Sequence, residues 1–177
     1  MVRSPRDANP DPKPKPNPNP KPNPKQVELA DQEDLLGDEH PETLNAKTAY
    51  ASLLRSKAAD VPQMAKAVQL FSEVLDERRV KQGPTDPTTR SAMNNLAAAK
   101  YTQGELEEAK ELYREVREGR EEVLGVHHPD TLATTASLGQ VLRAKGENRA
   151  AAIMLRATLE GRRATLGPSA EPTVRSI

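Results

Sequence analysis

Two adjacent histidines and a nearby aspartate are the residues of this sequence that most resemble reactive chemistry. His127, His128 and Asp130 lie in "GVHHPDTL", residues 125 to 132, and His40 is the only other histidine. Imidazole and carboxylate groups at such spacing could ligate a metal ion or act as a general-base pair. Adjacent side chains at a helix start point in different directions, however. The pattern therefore predicts no metal site, and nothing else in the sequence indicates a cofactor.

Other catalytic chemistry is equally poorly represented. The sequence contains no cysteine, which excludes thiolate nucleophiles, disulfides and cysteine-ligated zinc. It also lacks the phosphate-binding GxxxxGK[ST] loop, the GxSxG nucleophile turn and the HExxH zinc motif. We therefore expect a protein that is not an enzyme.

Composition limits the class of partner. The 26 basic and 26 acidic residues cancel, so the net charge gives no reason to expect nucleic acid. No run of about 18 apolar residues could span a membrane, and the N-terminus has no signal-peptide core. We expect a cytoplasmic protein without a membrane partner.

The N-terminal segment is rich in proline. Residues 1 to 25 hold nine of the 16 prolines, and six basic residues against two acidic ones give the segment a charge of 6 − 2 = +4. Proline at nearly every second position prevents helix and sheet formation. Residues 1–25 are therefore predicted to be a disordered Lys/Asn/Pro-rich tail, most simply a spacer.

The rest of the chain repeats itself. "GVHHPDTL" recurs as "GDEHPETL" from Gly37, as "GPTDPTTR" from Gly83 and as "GPSAEPTV" from Gly167, so the glycines lie 46, 42 and 42 residues apart. The scatter at the histidine positions argues against metal binding. A glycine followed by a polar residue and proline instead favours a joint that stops one helix and starts the next.

Each unit has the pattern of two amphipathic helices, with small residues such as Ala109 and Gly139 where the helices cross. A single pair cannot bury both apolar stripes, so the pairs must stack into a solenoid. We predict an all-α fold, an α-α superhelix of about three helix pairs. The predicted segments after the tail are a capping helix or remnant of a preceding repeat (26–37), repeats 1 to 3 (38–82, 83–124 and 125–166) and the start of a truncated repeat (167–177).

The body resembles tetratricopeptide repeats of the roughly 42-residue, kinesin light chain-like type. The resemblance rests on "HPDTLATTASLGQVLRAKGE" from His128 and "TTRSAMNNLAAAKYTQGELEEAKELY" from Thr88. It implies a protein-interaction scaffold or adaptor that binds a partner peptide or helix on the concave face formed by the first helices of the pairs. Arg55 and Arg143 flanking Tyr101 would favour acidic groups in the peptide. The predicted contact residues are Asn45, Thr48, Ser52, Arg55, Asn94, Asn95, Tyr101, Gln140 and Arg143.

Two other functions fit the same sequence. The chain could be the sensor arm of a larger multidomain adaptor or signalling protein, since the motif from Gly167 starts a repeat without completing it. Alternatively, the basic tail could act as an electrostatic tether on acidic partners. The sequence does not predict the oligomeric state.

Overall fold

The structure, a computed structural model, describes residues 23–57 and 61–166. These residues form helices and contain no strand, which confirms the predicted all-α class. The helices are α1 (Pro24–Leu36), α2 (Pro41–Ser56), α3 (Val61–Gln82), α4 (Pro87–Gln103), α5 (Leu106–Leu124), α6 (Pro129–Ala144) and α7 (Asn148–Leu166).

Helices α2, α4 and α6 begin in the same way, at a proline that follows a polar cap. Pro41, Pro87 and Pro129 are the first residues of α2, α4 and α6. Proline is suited to this position because its ring sets φ and the missing N–H needs no partner there. Each preceding side chain accepts a hydrogen bond from the backbone N–H two residues on. For Asp86 the acceptor is Oδ1, at 2.7 Å from the Thr88 nitrogen.

His128 is therefore a helix cap. Its Nδ1 accepts a hydrogen bond from the backbone N–H of Asp130 at 3.2 Å, and His40 caps α2 in the same way at 3.3 Å. His127 is exposed. Gly125, which follows the last residue of α5, has a φ of +88°, a conformation that residues with a Cβ rarely adopt. The interpretation of "GVHHPDTL" as a joint between helices is confirmed.

The helices stack in chain order. Each helix packs against the next one along the chain, from α1 and α2 to α6 and α7. In addition, α2 approaches α4, and α4 approaches α6, within Cα–Cα distances of 8 Å. The backbones of α3, α5 and α7 make no such approach to one another within the described residues. The helices α2, α4 and α6 therefore form the inner row of the stack and α3, α5 and α7 the outer row.

The core is thin and lies between the two rows. Phe71, Val74 and Leu75 of α3 are almost completely buried in one cluster, which α2 and α4 complete. Tyr113 and Leu138 lie in a second cluster that joins α4, α5, α6 and α7. Burial of these few large side chains supplies most of the free energy that opposes unfolding.

Small residues at the helix crossings are buried as predicted. Ala109 of α5 is fully buried. A Cβ added to Gly139 of α6 would lie 3.0 Å from Leu155 Cγ and 3.3 Å from Met154 Cβ. The axes of α6 and α7 are therefore close enough to leave no room for a large side chain.

Several predicted segments extend beyond the described residues. Most of the tail predicted for 1–25 lies outside them, as does the truncated repeat predicted for 167–177. Helix α1 begins at Pro24, ahead of the predicted start at 26, because the Asn23 side chain accepts a hydrogen bond from the Lys25 N–H and caps it. Within the described ranges, no helix has the length and apolar character needed to cross a membrane.

Candidate functional site

The predicted contact residues lie on the inner helices α2, α4 and α6. Asn45, Gln140 and Arg143 are exposed. The other six are partly buried: Thr48, Ser52, Arg55, Asn94, Asn95 and Tyr101.

One group of polar side chains draws on all three repeats. The phenol of Tyr113 (α5) lies close enough to Arg55 (α2), Tyr101 (α4) and Ser137 (α6) for each of them to influence its pKa. Burial is the largest influence and raises the pKa of Tyr113, while Ser137 and Arg55 act in the opposite direction. The phenol therefore stays neutral and can donate a hydrogen bond at physiological pH.

Arg55 is incompletely paired in this group. Its Nε is fully enclosed and has no hydrogen-bond partner within the described residues. An enclosed donor of a charged group without a partner is costly. The Nη nitrogens of Arg55 are not enclosed, so they are the donors that an acceptor could reach. We refer to Arg55, Tyr101, Tyr113 and Ser137 as the Arg55 cluster. Arg143 is exposed in the last turn of α6 and makes no ion pair with a described residue.

Two of the predicted asparagines already accept hydrogen bonds from this chain. Arg78 Nη2 donates to Asn45 Oδ1 at 3.0 Å, and Thr134 Oγ1 lies 3.5 Å from Asn94 Oδ1. The amide NH₂ group of each remains the part that could bind a partner. Asn95 is half-buried beside Asn94.

Arginines of the outer helices hold the inner helices in place. Arg78 Nη1 donates to the carbonyl oxygen of Thr88 at 3.0 Å, and Arg120 Nη1 donates to that of Asp130 at 3.1 Å. Burial lowers the pKa of both guanidinium groups, and the carboxylates of Asp86 and Asp130 oppose that change. Both groups remain charged, because arginine titrates far above physiological pH.

Ion pairs link the second and third repeats near the turns that follow α4 and α6. Lys145 Nζ lies 2.5 Å from Glu107 and 2.6 Å from Glu147, and Lys110 Nζ lies 3.1 Å from Glu147. Hydrogen bonds to Glu107 and Glu147 raise the pKa of Lys145. Lys100 is paired similarly with Glu105 and Glu108. These pairs occupy several carboxylates of the acidic α5.

Tyr113 of the Arg55 cluster is not among the predicted contact residues. The repeat register aligns it with the apolar residues Phe71 and Leu155, which favours a role in packing. The available signal was its hydroxyl group, since a buried tyrosine normally directs its O–H to a polar partner. Within the described residues, no group of three or more His, Asp or Glu side chains is arranged to hold a metal ion.

A family model for the tetratricopeptide repeat matches residues 63–122 and 88–164, which together span more than half of the chain. The chain belongs to the tetratricopeptide repeat family. Repeats of this kind generally serve as scaffolds for protein–protein interaction and are typically not catalytic.

Solved structures share the fold of this tetratricopeptide repeat protein. A putative kinesin light chain of Podosopora anserina with nearly identical TPR-like repeats matches with a TM-score of 0.68 at 24% identity, covering 80% of this chain and 66% of that one. A second crystal structure of that protein gives a TM-score of 0.66. BtubC (BKLC) from P. vanneervenii matches with a TM-score of 0.69 at 18% identity, covering 84% of this chain and 57% of its own. The predicted α-α superhelix of tetratricopeptide repeats is thus confirmed.

The present chain spans less than two thirds of the length of each of these structures. Among curated proteins, no sequence matches it.

Proposed function

We propose that this tetratricopeptide repeat protein is an adaptor that binds an extended peptide with an acidic side chain along the inner row of helices α2, α4 and α6. The observation that carries the proposal is the Arg55 cluster. Its members come from helices of all three repeats, and the enclosed Nε of Arg55 has no hydrogen-bond partner among the described residues.

The chemistry of the cluster matches a carboxylate. A guanidinium group binds a carboxylate through paired, charge-assisted hydrogen bonds. The hydroxyl group of Tyr101, which is partly exposed, can add a further donor, and its ring face can pack against an apolar neighbour of the acidic residue. An aspartate or glutamate of the partner is the side chain that this group fits.

The geometry of the inner row favours an extended partner. Because α2, α4 and α6 approach one another directly, a peptide running across them meets three repeats within a short length. Thr48, Ser52, Asn95 and Gln140 offer hydroxyl and amide groups along this row. Such side chains can bind peptide backbone regardless of the partner's sequence, whereas the Arg55 cluster would select an acidic residue.

The test starts from peptides selected against the full chain in a display library of random sequences. Fluorescence anisotropy then compares the wild type with Arg55→Gln and Arg143→Gln. Loss of a charge-assisted hydrogen bond of about 1.5–3 kcal/mol weakens binding by roughly tenfold or more. We expect that loss for Arg55→Gln and a smaller one for the exposed Arg143→Gln.

Arg114→Gln provides the matched control. Arg114 is exposed on the outer helix α5 and pairs only with Glu111 and Glu118 of that helix among the described residues. Its substitution should leave the affinity unchanged. An equal loss for Arg55→Gln and Arg114→Gln would mean that only overall charge attracts the peptide. Selected peptides that lack acidic residues would also contradict the proposal.

A further inference from the structure

One arginine of the second repeat occupies a position that is leucine in the other two. By the repeat register, Arg90 of α4 corresponds to Leu44 of α2 and Leu132 of α6. All three are buried, with 8%, 3% and 4% of their surfaces exposed. A charged guanidinium group thus replaces an apolar side chain between two packed helices.

The place that Arg90 fills is formed by a glycine. A Cβ added to Gly119 of α5 would lie 2.6 Å from Arg90 Nε, so the arginine lies directly against the α5 backbone. Gly161 of α7 has the same relation to Leu132, whose Cδ2 would lie 2.5 Å from an added Cβ. The second and third repeats therefore have the same contact between a glycine and a buried side chain. That side chain is arginine in the second repeat and leucine in the third.

The guanidinium group of Arg90 has no anionic partner among the described residues. It makes no hydrogen bond or ion pair with any of them, although buried arginines are normally paired. Within the described ranges, the side-chain polar atoms that are fully enclosed and unpaired belong to Gln32, Arg55, Arg117 and Thr131. The nitrogens of Arg90 are not among these atoms, so they retain some contact with solvent although only 8% of the surface of the residue is exposed.

A second arginine, Arg120, follows Gly119 on α5. Burial lowers the pKa of Arg120 most, the Asp130 carboxylate raises it, and the charge of Arg90 lowers it by a smaller amount than Asp130 raises it. Asp130 lies 3.9 Å from His128 Nδ1, and Glu121 is paired with Arg117 at 3.1 Å. Asp130 therefore offsets the charge of Arg120, and Arg90 is the guanidinium group left without an anion among the described residues.

We propose that Arg90 and Arg120 form a binding site for a phosphate group between α4, α5 and the start of α6. Guanidinium groups bind phosphate oxygens through paired hydrogen bonds. A phosphate monoester carries a charge of about −1.5 to −2 at neutral pH, so it would supply the anion that Arg90 lacks. Inorganic phosphate and a phosphorylated side chain are the two sources of this group.

The decisive variant is Arg90→Leu in the full chain. Leucine occupies the equivalent place over Gly161, so this variant should fold and match or exceed the wild-type melting temperature in chloride buffer. Sodium phosphate should raise the melting temperature of the wild type above that in sodium chloride of equal ionic strength. Arg90→Leu should lose that phosphate-specific rise, with at least about a tenfold weaker affinity by isothermal titration calorimetry.

Arg149→Leu is the matched control, because Arg149 is an exposed arginine of α7. It should retain the full phosphate effect. A wild type that responds equally to phosphate and chloride would overturn the proposal, as would an unchanged phosphate effect in Arg90→Leu.

A second variant and a second probe complete the experiment. Arg90→Lys keeps the charge but loses the planar pair of donors, so phosphate should bind several-fold more weakly. Unchanged binding by this variant would contradict the proposed geometry. A Gly/Ser peptide with one phosphoserine identifies the source. Tighter binding of the peptide than of inorganic phosphate indicates a phosphorylated side chain, and equal binding indicates the free anion; each supports the site.

Discussion

Arg78 and Arg120 make the same contact one repeat apart: each donates from Nη1 to the carbonyl oxygen of the second residue of the next inner helix. Arg78 also binds the Asn45 side chain, and Arg120 binds Thr134 Oγ1 at 2.7 Å. The contact joins each outer helix to the start of the helix that follows it. The carbonyl oxygen of a residue in the first turn already accepts a hydrogen bond within its own helix. The arginine therefore binds to the second lone pair of that oxygen.

Removal of this contact should destabilise the stack. Arg120→Met keeps the aliphatic part of the side chain but deletes both hydrogen bonds. We expect the free energy of unfolding in urea to fall by about 1–3 kcal/mol, since hydrogen bonds from charged groups contribute at this level. Arg114→Met, on the exposed face of α5, should change it by less than about 0.5 kcal/mol. A similar loss in the free energy of unfolding for both variants would show that the hydrogen bonds of Arg120 contribute no more than an exposed arginine does.

The cap at His128 should be replaceable by the residue that the second repeat uses. Deletion of the cap in His128→Ala should cost about 0.5–2 kcal/mol of stability. His128→Asp should restore or exceed wild-type stability, because the equivalent Asp86 accepts the same hydrogen bond at 2.7 Å and a carboxylate favours a helix N-terminus. Thermal unfolding at neutral pH measures both changes. An aspartate variant no better than alanine would show that the imidazole acts through another contact.

Asp86 should make part of the stability depend on pH. Hydrogen bonds from the Thr88 side chain and backbone hold the pKa of this carboxyl below its ordinary value of 3.8. A carboxyl group whose pKa is lower in the folded state than in the unfolded state stabilises the fold at pH values above its unfolded-state pKa. That contribution is lost as the pH falls through its folded-state pKa. The melting-temperature difference between the wild type and Asp86→Asn should therefore shrink on acidification. A difference that stays constant from neutral pH to below 3.8 would disprove the linkage.

The crossing of α6 and α7 should not tolerate a larger side chain. Gly139→Leu forces its branches against Leu155 and Met154, and such overpacking typically costs about 1–3 kcal/mol. The control Ala144→Leu adds similar bulk at an exposed position of the same helix. Urea unfolding should separate the two variants clearly. Equal stability would indicate that α7 can shift away without loss.

The starts of the inner helices were predictable because they depend on local residues. A polar cap followed by Pro41, Pro87 or Pro129 determines where a helix begins, whatever the rest of the chain does. The occupied oxygens of Asn45 and Asn94 were not predictable, because Arg78 and Thr134 reach them only after the helices have stacked. Arg90 lies between these cases. Comparison with Leu44 and Leu132 in the repeat register identifies it as an exception, but only the structure shows that it lies against the backbone of Gly119 and pairs with no carboxylate of a described residue.

The helices of this stack pack almost entirely against their neighbours in sequence. Native pairing consequently requires the closure of short loops alone, which is typical of chains that fold rapidly. It also means that the terminal helix on either side can detach while the central pairs remain intact. Amide hydrogen exchange should accordingly be slowest in α4 and α5 and become faster towards α1 and α7.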